Sequence, residues 1–203
     1  MGNFVEMKKA TFGFSISDIA EIAILCSLAI VLDQFCKIPL GATGGSINFS
    51  MLPLYIIALR HGWFKGFIGG GIIYAITTCI IDGYGFQFFP LEYFIAYGSV
   101  GILGIFANFI NKNFNKNNKS NIVISYFVLV GSIAIAAVIR FFCGSIDSVM
   151  FYEYSWSAAF AYNAPYVFIS AVVVCAIMCA LLPAIKLINK VYPSFYIKNS
   201  QDK

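Results

Sequence analysis

The sequence predicts an all-α integral membrane protein: a six-helix transmembrane bundle forming a single domain over residues 1–203, with both termini cytoplasmic. Three observations carry that reading. First, 60% of the 203 residues are hydrophobic and only 11% are charged, with a mean hydropathy of +0.84. Soluble domains average about 25% charged residues. Second, the apolar residues fall into six runs separated by short polar stretches. A span takes roughly 20 residues, so these runs use nearly the whole chain. Third, the basic residues sit at one set of run ends. Together these features exclude a soluble enzyme, a disordered chain and a nucleic-acid binder.

The first helix is expected over 18–36, around IAEIAILCSLAIVLDQF. A polar, glycine-rich stretch follows, LGATGGSIN, from Leu40 to Asn48. A short helix over 50–60 has Pro53 in its first turn, where a missing N–H is tolerated. The third helix, 63–81, opens on the glycines of GFIGGG, and the loop DGYGFQF follows it. The fourth covers 90–110. The basic segment Asn111–Asn121 separates it from the fifth, 122–143. A polar and aromatic loop is expected over Gly144–Ser157, then the sixth helix over 158–188. Pro165 and Pro183 bend that helix or mark its ends.

Orientation follows from the cations. Lys8, Lys9, Arg60, Lys65, Lys112, Lys116, Lys119, Lys186, Lys190, Lys198 and Lys203 fall on one side, and only Lys37 and Arg140 on the other. The richer side is the cytoplasmic one, and the protein is placed in the plasma membrane. No cleavable signal peptide is expected, because no A-x-A-like site precedes the first apolar run. The six cysteines lie mostly inside apolar runs without a CxxC or a nearby histidine. They read as small helix residues, not as a metal site or disulfide framework.

The opposite side is acidic and aromatic. It carries Asp33, Asp82, Glu92, Asp147 and Glu153 together with Tyr84, Tyr93, Tyr152, Tyr154 and Trp156. Acids and aromatics on one rim suit a flat cation. They also suit an ordinary interfacial belt with solvated acids. Glu92 stands out, because FFPLEYFIAYG puts its charge near the start of an apolar helix, where it should face a cavity. A carboxylate there would also complement the helix dipole. Asn163, in AYNAPY, is a buried amide in need of partners. Arg140 either pairs with an acid such as Asp147 or snorkels to the interface. On the first helix, Ala20, Ala23 and Ser27, with Ala29 as a candidate fourth member, form a small-residue face that lets another helix approach closely. Gly66 and Gly70 repeat that spacing and suit internal packing.

The blocks GGSINFSMLPLYIIALRHG, LEYFIAYGSVGILG, RFFC and YNAPY, set among six helices, resemble the substrate-binding S components of energy-coupling-factor vitamin transporters, closest to the thiamine-specific branch. The resemblance covers roughly residues 17–190. It implies a subunit that binds thiamine or a related heteroaromatic vitamin on the outer side and needs no cofactor of its own. It also implies docking, through Ala23 and Ser27, onto a transmembrane coupling subunit and two ATP-hydrolysing subunits. The absence of a phosphate-binding G-x-x-x-x-G-K-[ST] loop agrees with a non-enzymatic role.

By the same resemblance Glu92 and Tyr93 match a ligand-contacting Glu–Tyr pair, and Asn163 matches an asparagine of the last helix. Tyr84, Tyr74, Tyr152 and Trp156 complete the expected set. Tyr74 and Tyr152 stand where the family has tryptophan, with Trp156 as the alternative to Tyr152. The family histidine is replaced by Gly144 and a following glycine by Ser148. The single histidine, His61, lies on the cytoplasmic side. Two other classes compete: a stand-alone secondary transporter or membrane scaffold, and an intramembrane enzyme. The first lacks the internal repeat often found in such transporters, and the second lacks a nucleophile–base grouping.

Overall fold

A computed structural model of the chain describes residues 12–39, 46–115 and 118–201. Within them, helix α1 (Ile16–Phe35) begins on Ser15, whose hydroxyl accepts from the Asp18 N–H while Asp18 reaches back to the Ser15 N–H. This reciprocal capping box satisfies two orphan donors at the helix start. A two-residue antiparallel ladder, β1 (Ile38–Pro39) and β2 (Ser46–Ile47), carries the chain to the next helix. The glycine-rich stretch expected from Leu40 lies partly outside the described residues.

The stretch Met51–Asp82 is helical except at Gly62, where φ is 84° and ψ 178°. That positive φ is open to glycine and strained for other residues. It divides α2 (residues 51–61) from α3 (residues 63–82) and folds them into a helical hairpin. A Cβ on Gly66 would fall 2.7 Å from the Ala58 Cβ across the hairpin. The α3 backbone then presses on α4 (Phe86–Phe114). A Cβ on Gly70 would lie 2.5 Å from the Tyr97 carbonyl oxygen. Gly66 and Gly70 therefore serve internal packing, as expected. Helices α5 (Lys119–Tyr152), α6 (Trp156–Val191) and a short α7 (Phe195–Gln201) complete the described chain.

The six rods correspond to the six expected helices, and α5 shows the largest difference. It does not stop at Cys143 but runs on to Tyr152, so most of the expected Gly144–Ser157 loop is helix. Two of the polar residues there satisfy themselves: Ser145 Oγ donates to the Phe141 carbonyl at 2.7 Å and Ser148 Oγ to that of Gly144 at 2.8 Å. The true turn is short. Glu153 caps α5 at φ 56°, and Ser155 opens α6 by accepting from the Ala158 N–H. Pro165 and Pro183 both lie inside continuous α6. At 34 residues α5 is about 51 Å long, well beyond a hydrocarbon core of about 30 Å.

The apolar core runs between α2, α4, α5 and α6, from Leu54 and Leu59 through Leu103 and Ile110 to Leu129 and Met178, all fully buried. One end of the bundle is closed by a buried polar network. Lys65 Nζ meets Asp18 Oδ2 at 2.8 Å, and Arg60 pairs with Glu21 and donates to Asn189. His61 sits between the carboxylates, 3.4 Å from Asp18 and 3.2 Å from Glu21. Asp18 also accepts from the Phe195 N–H at 3.2 Å, which ties α7 to the same end. Burial of these charges is sustained by mutual pairing. The other end of the bundle is open.

Candidate functional site

The open end holds a cavity of about 780 Å³, within the range that takes a small-molecule ligand. Six segments build its wall. Asp33 comes from the end of α1, and Lys37, Pro39, Ser46 and Asn48 from the strand pair and its flanks. Asp82 ends α3 and Tyr84 follows it, and Glu92, Tyr93 and Tyr97 project from the first turns of α4. The α5 residues Arg140, Gly144, Asp147, Ser148 and Tyr152 share one face, since three- and four-residue steps return a helix to the same side. Tyr162, Asn163 and Tyr166 do the same at the start of α6.

Local geometry explains the aim of the acidic group on α4. Residues Phe89–Ile95 form a π-helical turn with Pro90 in its first positions. Such wide turns recur at functional sites because they re-aim side chains. Glu92 and Tyr93 leave from this turn. Tyr93 donates its hydroxyl to Asp82 Oδ2 at 2.9 Å, which fixes the ring against the wall. Asp33 is buried and accepts from Asn48 and, at 3.3 Å, from Gln34. Asn48 in turn receives the Ser50 N–H and donates its own N–H to Ser170, so α1, the strand pair and α6 are joined at the cavity lip.

Asn163 is engaged within the protein. Its Nδ2 donates to Ser148 Oγ at 3.0 Å and to the Ala159 carbonyl at 2.9 Å, and its Oδ1 accepts from the Tyr166 hydroxyl. Arg140 neither pairs with Asp147 nor snorkels outward. It is 9% exposed and lies on the cavity wall with its guanidinium 5.0 Å from the Tyr97 ring centre, donating to the Tyr97 hydroxyl at 3.4 Å. No ion pair within 4 Å joins it to an acid among the described residues. The cavity thus carries four carboxylates against two cations, Lys37 and Arg140. With Asp and Glu ionised this leaves a formal charge of −2.

The structure brings five of the seven expected ligand residues to the cavity: Glu92, Tyr93, Asn163, Tyr84 and Tyr152. Two lie elsewhere. Tyr74 is fully buried beneath the cavity wall, edge-on to Tyr97 at 4.8 Å, where α3 packs closely on α4. Trp156 is 53% exposed and packs on Phe160 one helical turn along α6. Tyr152 lines the cavity, stacked on Phe88 at 5.5 Å. Sequence reasoning missed Tyr97, Tyr166 and Lys37. The first two were detectable at helical spacing, four residues after Tyr93 and three after Asn163. Ala23 and Ser27 are exposed on the face of α1 turned away from the bundle, beside exposed Ile24, Leu28 and Val31. No group of three or more metal-ligating side chains occurs among the described residues.

Comparison with known proteins adds to this geometry. Residues 19–190 match the family described as thiamine transporter protein. The thiamine transporter ThiT of Bacillus subtilis (strain 168) is 27% identical over 176 residues, covering 80% of this chain and 88% of that protein. A solved structure of ThiT from Listeria monocytogenes superposes with a TM-score of 0.71 at 21% identity, covering 84% of this chain and 97% of that one.

Proposed function

The chain belongs to the thiamine transporter protein family, and from that membership we propose that it is the substrate-binding membrane subunit of an energy-coupling-factor importer, taking thiamine or a close relative. It works in transport and is not an enzyme. The observation that carries the reading is the anionic, tyrosine-lined cavity at the open end of the bundle. Thiamine joins a permanently cationic thiazolium to an aminopyrimidine. Glu92 pairs with the cation, and the tyrosines offer faces to both rings. A cavity screened from bulk water strengthens such pairing relative to the surface.

The orientation proposed is cavity outward. The closed end carries Lys112, Lys119, Lys190 and Lys198, and the positive-inside rule sets that end in the cytoplasm. Ligand then enters from outside, past the Lys37 and Asn48 flanks of the strand pair. The exposed face of α1 around Ala23 and Ser27 is where a transmembrane coupling subunit would sit, with two ATP-hydrolysing subunits beyond it. Small residues there allow close helix approach.

The test is calorimetric titration of the purified chain with thiamine in the absence of nucleotide. Saturable one-to-one binding is expected, and Glu92→Gln should weaken it at least tenfold. A chain that ignores thiamine, or a Glu92→Gln variant that binds as the original does, overturns the assignment.

A further inference from the structure

The four cavity carboxylates are not equivalent. Asp33 already accepts from Asn48 and Gln34, and Asp82 from Tyr93. Asp147 is different. It is 3% exposed, it lines the cavity, and neither of its oxygens has a hydrogen-bond partner among the described residues. It lies beside the Glu92 backbone without reaching hydrogen-bond geometry. Buried polar groups are normally satisfied, and a lone carboxylate is among the costliest exceptions. An exception in the wall of a ligand cavity, with both oxygens shielded from water, points to the ligand as the missing donor.

Neighbouring geometry supports this placement. Gly144 sits one turn before Asp147 on the same face of α5 and presents no side chain. A Cβ there would fall 2.9 Å from Asn163 Oδ1 and 3.0 Å from Glu92 Oε2. The glycine therefore lets the Glu92 and Asn163 side chains close directly onto α5, one turn from Asp147. Asn163 spends both N–H donors inside the protein and already accepts from Tyr166. It positions the wall, while the free acceptor on this side of the cavity is the Asp147 carboxylate.

We infer that Asp147 is a second anionic contact for the ligand, receiving the N–H donors of an amino-substituted nitrogen heterocycle, while Glu92 takes the cationic ring. This rests on the functional reading above and refines it: the site selects a ligand with two donor or cationic features, one for each unpartnered carboxylate. Nothing is transferred covalently; the selection is by hydrogen bonding and charge. A site built to receive a donor rejects analogues that lack it, because its own buried group is then left unpaired.

The test pairs two proteins with two probes: the wild-type chain and Asp147→Asn, each titrated with thiamine and with its 4-oxo analogue, in which the amino group is replaced by a carbonyl oxygen. The wild-type chain should prefer thiamine by tenfold or more. Asp147→Asn should weaken thiamine by tenfold or more, change the oxo analogue by less than about threefold, and so erase most of the preference. The midpoint of thermal unfolding without ligand is read on the same samples, and Asp147→Ala serves as a second variant. Unchanged thiamine affinity in a folded variant overturns the inference. So does an equal loss for both probes with a lowered midpoint, which would make Asp147 a partner of the α4 terminus. A wild-type chain that binds neither probe overturns the functional reading itself, a separate and recognisable result.

Discussion

Replacing Gly144 by alanine should move stability and binding in opposite directions. In the interior of α5, alanine gains about 1 kcal/mol over glycine by restricting the unfolded chain. The new Cβ would meet Asn163 Oδ1 at 2.9 Å and Glu92 Oε2 at 3.0 Å, closer than a methyl carbon settles. Asn163 is held by Ser148, Ala159 and Tyr166 and cannot yield easily. Glu92 makes no side-chain hydrogen bond among the described residues and ends a flexible chain, so its carboxylate moves. Losing its aim at a cationic ligand removes a charge-assisted interaction of about 1.5–3 kcal/mol, which is roughly a 10- to 150-fold weaker affinity. Thermal unfolding in detergent and calorimetric titration with thiamine read the two effects separately. An unfolding midpoint at or above that of the wild type with weakened binding is expected. Unaltered affinity would refute the claim that Glu92 and Gly144 share the ligand wall.

Other perturbations separate fold from site. Asp18→Ala leaves Lys65 buried without its partner and should cost about 3–5 kcal/mol, seen as a lowered unfolding midpoint; a change below 1 kcal/mol would mean the closed end is not held by this pair. Trp156→Ala should shift thiamine affinity less than twofold, since the ring lies outside the cavity, and a tenfold loss would place it at the ligand after all. Ser27→Trp should leave thiamine binding intact in detergent yet abolish uptake in cells expressing the coupling subunits; unimpaired uptake would remove α1 from the docking surface.

The helices were legible because lipid permits few alternatives: a span must satisfy its own backbone, and long apolar runs say where that happens. The end of α5 was not legible for the same reason. Hydropathy falls at Gly144, and a falling hydropathy reads as a loop. Here the polar residues face a cavity instead, and Ser145 and Ser148 return their hydroxyls to the preceding turn. The break at Gly62 was visible as a gap between two short helices, although its hairpin geometry required the φ of 84°. At the site, Glu92 could be found because a charge in an apolar helix needs a reason. Tyr74 could not be assigned, because a tyrosine one layer below a cavity has the same sequence signature as one lining it. The roles of Asn163 and Asp147 depend on which donors are already spent, and that is settled by packing between α5 and α6.

The central claim is that the cavity between α1, α4, α5 and α6 holds a cationic heteroaromatic vitamin. The most direct measurement is mass spectrometry of the small molecule that copurifies with the chain from cells supplied with thiamine, in wild-type and Glu92→Gln forms. Close to one thiamine per wild-type chain, and little or none on Glu92→Gln, is the predicted result. An empty wild-type chain, or one carrying a ligand with no cationic ring, would contradict the account.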